Sequence, residues 1–150
     1  METDLLTGLD KWLADLPVVV DDSLANEASV RLDGIHVGRG FAARSAGHRR
    51  AVLLHEAAHW RGLDDWYLKT HEDWDLAAKT SFGHLNGQTT PGEIMVEAYA
   101  TAWMEPAFLW EHAPALVALV KEGAQAVGLP VPPGMTKDEV GVDRDLAAGN

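Results

Sequence analysis

The chain has 150 residues, a length that suits one domain with a substantial hydrophobic core. Its formal net charge of −11 disfavours nucleic-acid phosphates and anionic membrane surfaces as binding partners. It contains no cysteine, which excludes disulfides, cysteine nucleophiles and zinc sites built from thiolates.

The start of the chain carries no visible targeting signal. Residues 1–4 lack the basic region and the apolar run of a signal peptide. No apolar stretch in the sequence approaches the ~20 residues that span a bilayer. We therefore expect a cytoplasmic protein.

The N-terminal part of the chain predicts one helix and a small sheet. Apolar residues at helical spacing predict an amphipathic helix over 4–15. Three consecutive valines, residues 18–20, predict a short buried strand. Two alternating runs within 29–37, joined by Asp33 and Gly34, predict a β-hairpin.

The rest of the chain predicts helices. They are expected at 46–61, at 63–80 as one or two short helices, at 90–106 and at 113–127, with a loop over 81–90. Thr90 suits the N-cap of the helix predicted at 90–106, and Pro91 suits its first turn. The tail 129–150 is rich in proline, glycine and charge and is expected to be extended or disordered, which leaves 1–128 as the domain. A small sheet followed by helices is an α+β architecture.

His55, Glu56 and His59 form a His-Glu-x-x-His motif on the helix predicted at 46–61. Residues four apart share a helix face, so both imidazoles can bind one metal ion. Glu56 lies about 100° around the helix, where it can reach a metal-bound water without being a ligand. Apolar and helix-forming flanks, with Gly62 placed to end the helix, favour a genuine site. We therefore expect a Zn²⁺-dependent hydrolase.

A catalytic zinc ion needs a third protein ligand, and the residues leave two solutions open. In the first, Gly62 turns the chain and Asp65 completes the site, as in the abbreviated metzincin spacing. That spacing also calls for a methionine turn, and no methionine lies convincingly in one. A helix end at Gly62, followed by Asp64 and Asp65 as solvated acids, is the interpretation that we favour.

The second solution is a glutamate of the helix at 90–106, either Glu93 or Glu97. Thr90 and Glu93 also have the spacing of a capping box, which is the structural alternative. Of two carboxylates one turn apart amid apolar residues, one can bind the metal and the other can accept a hydrogen bond from the free N–H of a ligand histidine. We assign Glu93 as the ligand and Glu97 to the histidine, with the reverse assignment as the alternative.

These two blocks resemble the gluzincin metallopeptidases. Residues 55–62 are similar to the corresponding block in the zincin-like domains of plasmid antirestriction proteins. Glu93-x-x-x-Glu97-Ala98-Tyr99 resembles a helix of lethal-factor-type toxin peptidases, and residues 93–106 are similar to the matching helix in metallopeptidases that cleave phage and mobile-element repressors. In these families the first glutamate of that helix binds zinc. The resemblance implies a small zincin-like domain, with a short, mostly antiparallel sheet packed on the two site helices, and a phage or mobile-element accessory protein.

The sequence departs from these families at the residue expected to stabilise the oxyanion that forms during peptide hydrolysis. Lethal-factor-type peptidases place a Tyr-Gly before the glutamate helix, and the tyrosine hydroxyl helps to stabilise the oxyanion. The nearest counterpart here is Phe82-Gly83, which has no hydroxyl. His84, or Tyr99 if it turns inward, is the alternative donor. A missing donor costs about 10²–10³ in turnover, so metal binding is a firmer expectation than efficient catalysis.

The expected function is that of a zinc metalloendopeptidase acting on a peptide or protein substrate. Glu56 is expected to be the general base for a water activated by zinc on His55, His59 and Glu93. An edge strand of the hairpin at 29–37 can pair with extended substrate, although a purely structural hairpin explains it equally well. One alternative function is a catalytically weak zincin-fold binding module or antirestriction-type accessory module, and another is a metal-free helical domain with an accidental motif. The sequence does not indicate an oligomeric state.

Overall fold

Six helices and a three-stranded sheet make up the part of the chain that the computed structural model describes, residues 2–24, 28–70 and 90–133. The helices are α1 (Glu2–Ala14), α2 (Ala46–Trp60), α3 (Leu63–Thr70), α4 (Pro91–Met104), α5 (Pro106–His112) and α6 (Pro114–Val127). The strands are β1 (Val18–Val20), β2 (Ala28–Arg31) and β3 (Gly34–Val37), and short 3-10 helices cover Asp22–Leu24 and Arg39–Ala43. This content is consistent with the α+β class that the sequence predicts.

The sheet is mixed, which corrects the expectation of a mostly antiparallel sheet. The predicted hairpin forms, and β2 pairs antiparallel with β3. However, β1 pairs parallel with β3, so the strand order is β1-β3-β2. β2 already pairs with one edge of β3, so β1 lies on the other edge, where it runs opposite to β2 and therefore parallel to β3. Because β1 is an edge strand, Val18 and Val20 are exposed, and the prediction of a buried strand was wrong.

Gly34, the first residue of β3, allows β3 to approach the start of β1 closely. The hairpin closes on the pair Arg31 and Gly34, so its loop is Leu32-Asp33, one residue earlier than the sequence suggests. Gly34 has a φ of +147°, and a Cβ at this position would overlap the carbonyl oxygen of Pro17. This close approach lets the Ile35 N–H donate to Pro17 O over 2.7 Å. The position therefore requires glycine for both its backbone conformation and its contact.

The helix α2 lies between the sheet and the other helices. Its buried residues are Leu54, Ala57 and Ala58. The sheet packs on it through β3, whose Ile35 and Val37 are fully buried, and α4 packs on it from the helical side. The core thus continues from β3 across α2 to α4, and α3 and α6 pack against α4.

The helix α4 is buried on almost all sides. Eight of its residues are buried: Gly92, Ile94, Met95, Val96, Ala98, Tyr99, Ala100 and Ala102. A helix in this position offers little room for charge, yet it carries Glu93 and Glu97. Both of these side chains remain partly exposed, with 39% and 28% of their side-chain surface accessible, at the face beside α2.

The helical predictions differ from the structure after Met104. The predicted helix at 90–106 ends at Met104, and a separate helix, α5, follows from Pro106. Pro106 and Pro114 each stand at a helix start, where the missing N–H of proline costs nothing, and this signal could have located α5. Within 63–80, the described residues form α3, and the remainder of that prediction and the loop over 81–89 lie outside the described residues. None of the helices in the described ranges is both long and apolar enough to cross a membrane.

The chain continues to pack beyond the end of α6. Gly128 ends the helix in the left-handed conformation, with a φ of +77°. Leu129 is then buried, and the carbonyl of Pro130 accepts a 2.6 Å hydrogen bond from the hydroxyl of Tyr99. The first residues of the predicted tail thus lie against α4, and residues 134–150 lie outside the described ranges.

Replacing Gly34 with alanine should lower the free energy of unfolding by about 2 kcal/mol or more. The new Cβ would meet Pro17 O in a backbone conformation that L residues rarely adopt. Gly8→Ala is the control, because Gly8 is an exposed helical position with open space around it. This variant should raise the free energy of unfolding by up to about 1 kcal/mol. Urea denaturation measures both. A Gly34→Ala variant as stable as the parent would contradict this account of the β1–β3 junction.

Candidate metal centre

The helix α2 presents His55 and His59 on one face. Ser45 caps its N-terminus by accepting a hydrogen bond from His48 N–H, and the helix is regular to Trp60. The two imidazole rings have centroids 5.1 Å apart and are partly buried, with 19% of each side chain accessible. The spacing of four residues therefore brings two nitrogen ligands to one place, as the motif predicts.

Glu93 on α4 faces both histidines. Its Oε2 lies 3.2 Å from His55 Nε2 and its Oε1 lies 2.9 Å from His59 Nε2. One ligand atom from each of the three residues lies within 4.8 Å of the other two, so this cluster could hold a metal ion. Thr90 caps α4 by accepting from Glu93 N–H, while the Glu93 carboxylate reaches the histidines. The side chain is therefore placed for the cluster.

Glu97 holds the second nitrogen of His55. The distance from His55 Nδ1 to Glu97 Oε2 is 2.7 Å. A carboxylate accepts and does not donate, so Nδ1 carries the hydrogen and Nε2 faces Glu93. Burial alone would lower the pKa of His55, but the hydrogen bond and the charge of Glu97 outweigh burial and raise the pKa above its ordinary value.

Asp64 holds the second nitrogen of His59, a role that the sequence analysis missed. The distance from His59 Nδ1 to Asp64 Oδ2 is 3.0 Å. Burial would lower the pKa of His59, but the hydrogen bond that its Nδ1–H donates to Asp64 and the charge of Glu93 outweigh burial and raise the pKa above its ordinary value. The signal that could have located Asp64 is Gly62, because a glycine turn after α2 brings the next few residues back beside the last histidine. Asp65 is exposed and does not belong to the cluster.

Glu56 lines the same cleft as the cluster. Burial raises the pKa of its carboxyl, with the charge of Glu93 acting in the same direction and the two histidines acting against it. A carboxylate whose pKa is raised toward neutrality is a better proton acceptor at physiological pH than an exposed one. Its position next to His55 and its environment suit a general base.

The outer edge of β2, which has no partner strand among the described residues, forms the opposite wall of the cleft. The cleft has a volume of about 510 Å³ and is lined by Ala28, Ser29 and Val30 opposite the side chains of α2 and α4. The Ile35 N–H donates to Pro17 O, so the backbone hydrogen-bonding groups of Ile35 face β1. Val30, which pairs with Ile35 in the hairpin, therefore stands at a non-hydrogen-bonded position. The backbone N–H and C=O of Val30, and likewise of Ala28, therefore point away from β3.

Of the two predicted oxyanion donors, only Tyr99 lies in the described part of the chain, and it does not reach the site. Tyr99 is fully buried and donates its hydroxyl to Pro130 O, so it does not turn into the cleft. This excludes the alternative in which Tyr99 turns toward the site and replaces the missing tyrosine, because α4 directs that face into the core. His84 and Phe82 lie outside the described residues.

Comparisons with models of protein families, with curated proteins and with solved structures found no match to this chain. Two imidazole nitrogens and one carboxylate form a ligand set that suits zinc and other divalent transition metals. Both histidines have their Nδ1 atoms held by carboxylates, which is the usual arrangement behind ligand histidines.

Binding of a divalent metal should depend steeply on pH. The pKa values of His55 and His59 are raised above the ordinary 6.5, and a protonated imidazole cannot bind metal. Metal affinity should therefore rise with pH through and above 6.5, and fall below it by up to about tenfold per pH unit for each proton displaced. Competition titrations with a chromogenic chelator between about pH 5.5 and 8.5 measure this. An affinity that does not change with pH would show that the histidines are not ligands.

Proposed function

We propose that this chain is a zinc-dependent metallopeptidase with His55, His59 and Glu93 as the metal ligands and Glu56 as the general base. The observation that carries the proposal is the convergence of one atom from each of the three ligands within 4.8 Å, in a cleft that Glu56 also lines. The residues come from two separate helices, so their meeting depends on the tertiary fold and not on the motif alone.

The choice of zinc rests on the chemistry of the ligand set. Three protein ligands of the His, His and Glu types, with a fourth position left for water, are typical of catalytic zinc sites in hydrolases. The chain contains no cysteine, so a thiolate does not compete for the ion. A hard cation such as magnesium prefers oxygen ligands and would gain little from two imidazoles.

Each residue of the site has a defined part in hydrolysis. A bound zinc ion would supply Lewis acidity, lowering the pKa of a water toward about 7 and polarising the scissile carbonyl. Glu56 accepts the proton of the attacking water and passes it to the leaving amine nitrogen. Glu97 keeps His55 oriented with Nε2 toward the ion, since its carboxylate holds Nδ1–H over 2.7 Å.

The edge of β2 supports a peptide as the substrate. Ala28 and Val30 line the cleft and direct their backbone groups away from β3, at the spacing of two residues that an added strand requires, and no other strand in the described ranges pairs with this edge. An extended peptide can pair with this edge and lay its backbone across the metal cluster. Such pairing recognises the backbone, so side-chain preferences must arise elsewhere in the cleft.

A second candidate function is a zincin-fold binding module of the antirestriction type, which would hold zinc without efficient turnover. One observation favours it: among the described residues that line the cleft, none carries a phenolic hydroxyl, and the hydroxyl of Tyr99 is held by Pro130. The two candidates share the metal centre and differ in turnover.

Substituting Glu56 by glutamine should retain zinc and lower the hydrolysis of a denatured protein or a peptide library by about 10²-fold or more, since general-base catalysis contributes that much. Glu111→Gln is the matched control, because Glu111 is an exposed glutamate of α5, and it should hydrolyse the same substrates at the parental rate. Zinc content by elemental analysis accompanies both assays.

The outcomes separate the candidates. Equal turnover by the parent and Glu56→Gln would contradict the assigned role of Glu56. Zinc binding by the parent without turnover of any substrate in the library would favour the binding module.

A further inference from the structure

The two histidines of the cluster are each supported from behind by a different helix. Glu97 of α4 lies at His55 Nδ1, and Asp64 of α3 lies at His59 Nδ1, 3.0 Å away. The other nitrogen of His59, Nε2, lies 2.9 Å from Glu93 Oε1. The imidazole of His59 is thus held at both nitrogens, and Asp64 holds the side that faces away from the cluster.

The position of Asp64 follows from the turn between α2 and α3. Gly62 adopts a φ of +78°, and its N–H donates to His59 O over 2.9 Å. Leu63 is then fully buried, which anchors the first turn of α3 against the core. Asp64 comes next, so the same turn that ends α2 returns a carboxylate to its last histidine.

The start of α4 packs closely on Asp64. A Cβ at Gly92 would lie 3.2 Å from the Asp64 Cβ, tighter than most side-chain contacts. Gly92 precedes the ligand Glu93 in the chain, so α3 and α4 approach each other within one residue of the metal cluster. This contact limits where the Asp64 side chain can lie.

We infer that Asp64 is a positioning residue of the metal centre, which holds His59 with Nδ1–H toward its carboxylate and Nε2 toward the ion. The inference rests on the zinc site proposed above. Carboxylates behind ligand histidines fix the ring and its tautomer and make the other nitrogen a stronger ligand. The centre is then supported by three helices: α2 supplies the histidines, α4 supplies Glu93 and Glu97, and α3 supplies Asp64.

Zinc affinity in four variants tests the role of Asp64. Asp64→Ala should weaken zinc binding about 10- to 100-fold, and Asp64→Asn should weaken it less, because an amide oxygen still accepts the Nδ1 hydrogen. Asp65→Ala and Asp65→Asn are the matched controls. They remove the same charge from the next, exposed residue of the same helix and should stay within about twofold of the parent.

Imidazole nitrogen NMR of the zinc-loaded protein adds a readout that a merely structural role would not move. In the parent, His59 Nδ1 should be protonated and Nε2 should carry the metal-bound shift. In Asp64→Ala, the two nitrogen signals of His59 should broaden or shift, because the carboxylate no longer fixes the tautomer and the ring. Equal zinc affinities for Asp64→Ala and Asp65→Ala would overturn the inference while leaving the zinc site intact. No zinc binding by the parent would instead overturn the proposed function and this inference with it.

A double-mutant cycle tests the contact that positions Asp64. Gly92→Ala should weaken zinc binding several-fold in the parent, because the new Cβ displaces Asp64, and should change little in the Asp64→Ala background. An equal loss in both backgrounds would show that Gly92 acts through the neighbouring Glu93 and would contradict this part of the inference.

Discussion

The packing of α4 against α2 is the constraint on which the candidate site depends. The motif on α2 supplies two histidines, but the third ligand and the support of His55 come from the other helix. Both helices carry buried alanines, Ala57 and Ala58 on α2 and Ala98 and Ala102 on α4, and small residues let helices approach closely. With the helices in contact, Glu93 and Glu97, one turn apart, reach the two nitrogens of a single imidazole ring.

The electrostatics of the cluster fit a bound cation. Four carboxylates, Glu56, Glu93, Glu97 and Asp64, surround or support two imidazoles in a partly buried cleft. Carboxylates in such a place need compensating positive charge. The raised pKa values of both histidines show that their surroundings favour positive charge here, carried by protons. A divalent ion would compensate the carboxylate charges more fully than protons do, and it would compete with those protons for the same nitrogen atoms.

The sequence predicts well what short-range chemistry determines. The helix carrying the motif, the hairpin and the Thr90 cap all follow from residues within a few positions of one another. The parallel pairing of β1 was missed because three consecutive valines predict a strand but carry no information on its direction or its partner. Asp64 was read as a solvated acid, since only the turn at Gly62 and the packing on Gly92 bring it to His59. The alternative in which Tyr99 points toward the site is excluded for a related reason, because the burial of α4 decides where that side chain points.

The most direct test of the central claim is the zinc content of the purified protein beside that of Glu93→Ala, by elemental analysis after reconstitution and removal of loose metal. Glu111→Ala, the same change at an exposed glutamate, is the control. The account predicts about one zinc ion per chain in the parent and the control, and a large loss in Glu93→Ala, since two histidines alone leave the site one protein ligand short. Full zinc content in Glu93→Ala, or none in the parent, would contradict it.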